Sequence, residues 1–580
     1  MTSLRPTPVL LAILFALAAF FLRDTVTGTF KKREIDNESR CRCFPGDSCW
    51  PTATEWDEFN QTLGGKLIAT IPIASVCHDN QAFTPYDAEA CGRLQSVWEV
   101  PETHLVSPSS PMAPFYANMS CDPFTPREAQ CIIGTYVRYS VNASSARDYQ
   151  LTLAFARRNN IRLVIRNTGH DYLSKSTGAG AIALWTHHIR DISIFDYESP
   201  YYRGKAMKVG AGVMNFEAQE AAHAQGLLVV GGFCPTVGVA GGYTQGGGHG
   251  TLASKYGLGA DQVLEWEVVT ADGLQLTASP AVNADMYWAL SGGGGGTYGA
   301  VLSMTVKTYP ETKVAAAKLS FTSQGVSSET FYDVVQTILL DLPKTNDAGI
   351  GSLWILAEGF FMMQPIMAPD LTSDQLAALL QPSLDALDKS GITYDYAIRD
   401  FPTYFDAFEG MNPPYNITQF HISGRFVPRS LISSETAIAP LMDSFRFILS
   451  NGGVMSGMSL NVSRTPVAPN SVHPAWRTSA FVAVYGTPYH KLDYEANIKG
   501  LELLTNVLGP SLEKITPGGG TYLNEGNIYE SNFQEVFYGA SYDRLKSIKE
   551  RYDPNDLFYG PTAVGSEEWQ VESDGRLCRA

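Results

Sequence analysis

Two stretches of this chain hold the residue types from which a cofactor site is built. The first is the turn Arg166-Asn167-Thr168-Gly169-His170-Asp171-Tyr172, small and polar, into which the β-branched run from Ile161 to Ile165 empties. The second runs from Val229 to Gly250, contains Cys234, and has nine glycines between Gly231 and Gly250. A loop so rich in glycine loses much backbone entropy on ordering, which is understandable where another molecule must approach the main chain closely. Without Cβ atoms in the way, successive N–H groups form an anion-binding nest, so a phosphate-bearing or planar cofactor is expected. The dinucleotide fingerprint of a Rossmann unit does not fit. The run is too long, and no acidic residue about 20 positions further on closes a βαβ unit. Another glycine run, Ser291 to Gly299, lies between Tyr287-Trp288 and the alternating strand Val301 to Val306, and is expected to be a packed loop.

These loops need elements to hold them. Ser145 with Asp148 predicts a helix N-terminus, the helix running through Tyr149 to Arg158 and ending near Asn159-Asn160 before the strand at 161–165. Between about Glu311 and Pro517 the pattern changes. Ser327 and Ser328 precede the helical stripe Phe331, Val334, Val335, Ile338, Leu339, Leu342, and Thr372 with Gln375 makes a capping box before Leu376 to Leu384. Short apolar runs at Leu353 to Leu356 and Phe481 to Tyr485 read as strands. Phe420, Ile422 and Phe426 alternate with His421, Ser423 and Arg425 in a further one. An antiparallel sheet backed by helices is expected here. The polar face of the last strand either meets the cofactor or is solvated.

The 580 residues carry 42 Lys+Arg against 58 Asp+Glu, a net charge of −16, which argues against a nucleic-acid partner. At 44% hydrophobic the chain has ample core, roughly three to five structural units by length. Arg5 before the apolar run Pro8 to Leu22 reads as a secretory signal, shorter than the ~20 residues of a usual membrane span, or as a retained anchor. Six Asn-x-Ser/Thr sequons, at Asn37, Asn60, Asn118, Asn142, Asn416 and Asn461, fit a secretory route. Seven of nine cysteines precede residue 132, in a Pro-, Ser- and Gly-rich stretch from about Lys31 to Asp122 expected to lack a regular core. Eight cysteines, all but Cys234, can make four bridges in an order the sequence leaves open. A zinc site at Cys41, Cys43 and Cys49 is disfavoured by spacing and by an oxidising compartment, and no metal is expected.

Three long motifs in order, RNTGHDYLSKSTG (166–178), GGFCPTVGVAGGYTQGGGHG (231–250) and YGLGADQVLEWEVVTADG (256–273), resemble the flavin-binding half of the berberine bridge enzyme-like oxidoreductases of the vanillyl-alcohol oxidase superfamily. TYLNEGN (521–527) and FYGASYDRLKSIKERYDPNDLFYGPTAVG (537–565) are similar to that family's closing segment, and the CxCFPGDxCWP opening to its secreted fungal branch. The resemblance implies an α+β fold. Its parts are a signal peptide or anchor at 1–27, a Cys-rich extension at 28–124, a PCMH-type FAD-binding domain at 125–310, a substrate domain with an antiparallel sheet backed by helices at 311–516, and a segment at 517–580 that returns to complete the FAD site.

The same resemblance implies FAD attached twice, at its 8α-methyl by His170 and at C6 by Cys234. It places Asn167, Thr168, Gly169, Asp171 and Ser176 at the diphosphate and Arg166 among the cofactor-binding residues, with Gly238, Gly241, Gly242, Gly248 and Gly250 against the flavin through backbone. Asn524 and Tyr522 stand near the ring, and Val237 where oxygen access is set. The implied reaction is oxidation of an alcohol in a small organic or natural-product substrate, hydride passing to the flavin and O2 reduced to H2O2. The alternatives are oxidative cyclisation or C–C bond formation, or oxidation of an oligosaccharide. Tyr522, Glu525 and His421 compete as the base; a tyrosine of ordinary pKa ~10 needs a neighbouring cation to serve. A single subunit is expected, with no membrane partner unless the N-terminal segment is retained.

Overall fold

The helix expected from Ser145 and Asp148 forms over Ala146–Arg158, the Ser145 side chain accepting from the Asp148 amide at 3.3 Å. Its buried face, Tyr149, Leu153, Phe155 and Ala156, lies on a four-stranded sheet ordered Leu67–Ala69, Tyr139–Asn142, Ile182–Trp185, Leu163–Arg166. The last three strands are parallel, and the helix is the crossover such pairing demands. The computed structural model describes residues 40–580 except 80, 81, 414, 418, 465 and 467, so the expected signal or anchor at 1–27 and the sequon at Asn37 lie outside the described residues.

The strand predicted from Ile161 begins two residues later, at Leu163. The chain at Asn160 and Ile161 pairs instead with Cys43, whose amide donates to Asn160 O at 2.8 Å. This belongs to a larger correction. The Cys-rich stretch is not without regular structure: it forms helices at Ala53–Thr62 and Ala88–Ser96 and an apolar cluster of Ala74, Trp98, Ala117 and Tyr136 with the Cys121–Cys131 bridge. Trp56 and Phe59 from the first helix stack on Tyr139 and Phe155, so the stretch also shares the core of the parallel sheet. Four disulfides form, Cys41–Cys578, Cys43–Cys49, Cys77–Cys91 and Cys121–Cys131, and Cys234 alone is free.

A five-stranded antiparallel sheet follows, ordered Ile192–Glu198, Arg203–Gly210, Ala300–Lys307, Val263–Val269, Gln275–Ala278. Seven antiparallel strands make a third sheet: Tyr394–Phe401, Val314–Thr322, Phe360–Pro369, Gly351–Ala357, Val454–Ser459, Ser479–Pro488 and Phe420–Pro428. The helices Ser328–Asp347 and Ser373–Ser390, both capped as expected, and Glu435–Ser450 bury Leu339, Leu387, Phe445 and their neighbours against it. The chain then returns. Leu523, Phe537, Tyr538 and Leu545 enter the same core as Met207, Trp266 and Tyr298 of the five-stranded sheet region, and Arg544 lies over the Trp288 ring at 3.9 Å. The architecture is α+β, as expected.

One ion pair ties the returning parts together. Asp261, 8% exposed, takes both guanidinium nitrogens of Arg477 at 2.7 and 2.8 Å, the Asn470 amide at 2.6 Å and its own turn's Leu258 N–H at 2.9 Å. Removing the carboxylate leaves a half-buried cation and two donors unmet. Asp261→Ala is expected to lower the unfolding free energy by about 3–5 kcal/mol, read from guanidinium denaturation midpoints.

Candidate functional site

The end of strand Leu163–Arg166 delivers the polar turn to the mouth of the glycine loop. His170 Nε2 lies 2.7 Å from Thr236 Oγ1 and 3.7 Å from Cys234 Sγ. Burial strips the imidazole of water and, with His104 and Arg166 adding like charge, draws its pKa down to about 3, so the ring is neutral and keeps a nucleophilic lone pair. Burial pushes the Cys234 thiol up, opposed by its hydrogen bond to Thr236.

Beneath the turn sits Arg166, fully buried. One of its nitrogens donates to His104 O and Ser110 O at 3.1 and 2.6 Å, while Nε and Nη1 have no protein partner. A buried, incompletely paired guanidinium is a strong anion attractor. Gly169 passes directly over it at φ +89°; a Cβ there would lie 2.7 Å from the guanidinium. The Asp171 carboxylate accepts from Leu173 N and Ser176 N, 2.8 and 2.9 Å, and so shapes the turn. Ser176 takes part through that same amide. Thr168 is buried within the turn.

The glycine loop closes on this turn and on the C-terminal segment. A Cβ on Gly238 or Gly241 would meet the Asn167 side chain at 2.7 and 2.8 Å, one on Gly248 the Tyr243 ring at 2.8 Å, and one on Gly250 the Gly231 carbonyl at 2.0 Å. Asn167 Nδ2 donates to Ala211 O, leaving its Oδ1 buried and unpartnered. Val237 is half-buried against the Met207 and Val239 core, and its carbonyl accepts from Asn215 N. The run 291–299 is packed, as expected: Gly292 and Gly294 amides donate to Gln245 O at 3.0 and 2.8 Å.

Asn524 links the loop to the third segment, its Nδ2 donating to Gly242 O and to Tyr522 OH, each at 2.7 Å. Tyr522 is buried, and both burial and the Glu525 charge push its phenol well above the ordinary value. Glu525 Oε1 meets His249 Nε2 at 2.9 Å; Oε2 is buried with no protein partner. His249 was not singled out by sequence reasoning. The signal was its place in Gly248-His249-Gly250, a charged-capable side chain where every neighbour is glycine. His421 lies on the wall of the cleft that also adjoins His170, away from the Tyr522 and Glu525 contacts. The face carrying His421, Ser423 and Arg425 is buried, not solvated, but it is turned to the helical layer: His421 Nε2 contacts Asn497 Oδ1 at 3.0 Å and Arg425 Nε donates to Thr516 Oγ1 at 2.7 Å. The opposite face, at Gly424, meets Thr521 and Glu525. The structure thus separates His421 from Tyr522 and Glu525.

A planar, phosphate-bearing cofactor fits these residues. Arg166 and the Asn167–Gly169 turn offer positive charge and an unmet amide oxygen, the glycines bring bare backbone against that turn, and His170 with Cys234 stand beside it. Residues 137–279 match the family model of the FAD binding domain, and 521–565 that of berberine and berberine-like proteins. Fold and site together define an FAD-linked oxidoreductase. The chain is 44% identical to the FAD-linked oxidoreductase sor8 of Hypocrea jecorina over 571 residues, 98% of each chain. It is 40% identical to the bifunctional decalin synthase calF of Penicillium decumbens, over 93% of this chain and 95% of that one. The crystal structure of the VAO-type flavoprotein MtVAO615 from Myceliophthora thermophila C1 superposes with a TM-score of 0.90 at 42% identity, covering 93% of this chain and 100% of that one. This chain belongs to the berberine bridge enzyme-like fungal oxidoreductases of the vanillyl-alcohol oxidase superfamily.

The buried histidines give the site a pH signature. His104, hydrogen-bonded to Trp98 O at 2.7 Å beneath Arg166, is drawn by burial to about 4, and His170 to about 3. Their folded values lie below the unfolded ~6.5, so the unfolded chain binds more protons, and this stabilisation is complete above pH ~6.5 and is lost as pH falls toward 4. His104→Gln is expected to flatten the fall of unfolding free energy between pH 6 and 4.5 by about 1.4 kcal/mol per pH unit. Urea titrations at several pH values read it directly.

Proposed function

We propose that the protein is a secreted oxidase acting on an alcohol carbon of a small organic or natural-product substrate, with FAD covalently held at both His170 and Cys234 and O2 as the electron acceptor, giving H2O2. The observation that carries this reading is the 3.7 Å approach of the sole free thiol to the His170 imidazole beside the glycine loop. An imidazole held neutral and a thiol are the nucleophile types a double flavin attachment requires.

FAD, when bound, supplies the hydride acceptor. The chain supplies the proton chemistry. Glu525 is the best-placed base: His249 fixes one oxygen, leaving Oε2 free to take the hydroxyl proton, and Tyr172 and Tyr415 lie within electrostatic reach of both Glu525 and Cys234. Tyr522, raised by burial and by Glu525, keeps its proton and orients Asn524 against the loop. Val237, three residues beyond Cys234, is assigned control of oxygen access. Similarity to a decalin synthase favours a second reading, in which the same abstraction triggers ring closure. Secretion is supported by four disulfides, by exposed sequon asparagines at Asn118 and Asn416, and by the lack, among the described residues, of a helix long and apolar enough to cross a membrane.

The purified protein is expected to give a yellow acid-precipitated pellet, and His170→Ala/Cys234→Ala a colourless one; a yellow pellet from the double variant would assign the attachment elsewhere. Glu525→Gln is expected to keep its flavin and lose about 10²–10⁴ in kcat in an oxygen electrode across an alcohol panel. Equal loss of oxygen uptake and of bound flavin would instead make Glu525 structural.

A further inference from the structure

A cleft of about 600 Å³, counting its open mouth, adjoins His170 and Tyr172. Its walls come from three places. The short turn Pro114–Ala117 and the residues before it bring Met112 and Phe115 from the disulfide-stapled extension, the edge of the seven-stranded sheet brings Phe420 and Ile422, and Ile417 and Ile528 complete it. Phe115 is fixed by stacking on Tyr494 at 5.5 Å and by an edge contact with the His421 ring at 5.0 Å. Phe420, 40% exposed, stands on the sheet's outermost strand.

Most polar groups along the same walls already hydrogen-bond within the protein. Tyr116 OH donates to Tyr172 O at 2.7 Å, and Tyr172 OH pairs with Tyr415 OH at 2.6 Å. Both Asp171 oxygens accept from backbone amides. Asn527 donates to Thr505 Oγ1 and accepts from Tyr529 N, at 2.7 and 2.9 Å, and His421 Nε2 is held by Asn497. An oligosaccharide would need about one partner for each hydroxyl it desolvates, and a lining led by Met112, Phe115, Ile417, Phe420, Ile422 and Ile528 offers few of them. Apolar surface loses nothing on entering it, at about 25 cal/mol per Å² buried in its favour.

We propose that this cleft receives the ring-bearing apolar part of an alcohol substrate, and that its apolar walls make the enzyme select such alcohols over sugars. The inference rests on the reading of the His170–Glu525 site as the place of alcohol oxidation. Binding and turnover are therefore measured separately on the holoenzyme, with 2-naphthalenemethanol and cellobiose as probes.

Saturable perturbation of the flavin absorbance is expected with 2-naphthalenemethanol at least tenfold tighter than with cellobiose. Ile422→Ser and, at the exposed rim, Phe420→Ser are each expected to weaken the naphthalene probe several-fold while the pellet stays yellow. Tighter binding of cellobiose, no binding of either probe, or full affinity in both variants overturns the cleft's role. Binding of 2-naphthalenemethanol without oxygen uptake leaves the cleft assignment standing and overturns the alcohol-oxidase reading. If Ile422→Ser fails to fold, Phe420→Ser decides alone.

Discussion

Three segments far apart in the chain meet with no room for a side chain between them. The turn at 166–171, the loop at 231–250 and the segment at 521–527 touch through Asn167, Asn524 and a row of glycine Cα atoms; a Cβ at Gly246 would stand 2.5 Å from the Asn524 amide. Everything else in the fold serves that close approach. The parallel sheet aims the turn, the Asp261–Arg477 pair locks the loop's far end, and the helix Tyr542–Tyr552 brings the C-terminal segment back against the five-stranded sheet's core. The constraint also explains the glycine density noted in the sequence: the positions are crowded by protein as well as shaped for a cofactor.

Much of this was legible from residues alone, for local reasons. The capping of Ala146–Arg158, Ser328–Asp347 and Ser373–Ser390 is written in side chains three residues apart, and the strands in short β-branched and aromatic runs. Cys234 stood out by elimination, because no other cysteine lies between Cys131 and Cys578. What failed depended on contacts distant in sequence. The extension looked like loop because its density of Pro, Ser and Gly was read without Trp98, Tyr136 and the bridges that give them a cluster. The surroundings of His421 were hidden because alternation shows that a strand has two faces but not which layer each one meets.

The site itself was only half visible. The motif-bearing residues lie where the three segments meet, but their division of labour came from geometry. Asp171 shapes a turn through two amides, and Arg166 lies buried beneath it with two nitrogens unpartnered. His249, hidden among glycines, turns out to hold Glu525, an interaction spanning 276 residues that no local pattern announces. Nothing in a linear reading shows that Glu525 keeps one oxygen unpartnered while Tyr522 is hydrogen-bonded by Asn524.

The Cys41–Cys578 bridge joins residues 537 apart and makes nearly the whole polypeptide a covalent ring. During synthesis Cys41 emerges early and, at about 5–20 residues per second, must wait roughly half a minute to two minutes for its partner, with Cys43 and Cys49 beside it as wrong choices. Tyr522 and Glu525 also arrive within the last tenth of the chain. The segment whose Asn524 meets the glycine loop is thus among the last parts of the chain to be made, so its contact with Gly242 and the closing of the covalent ring both wait for the end of synthesis.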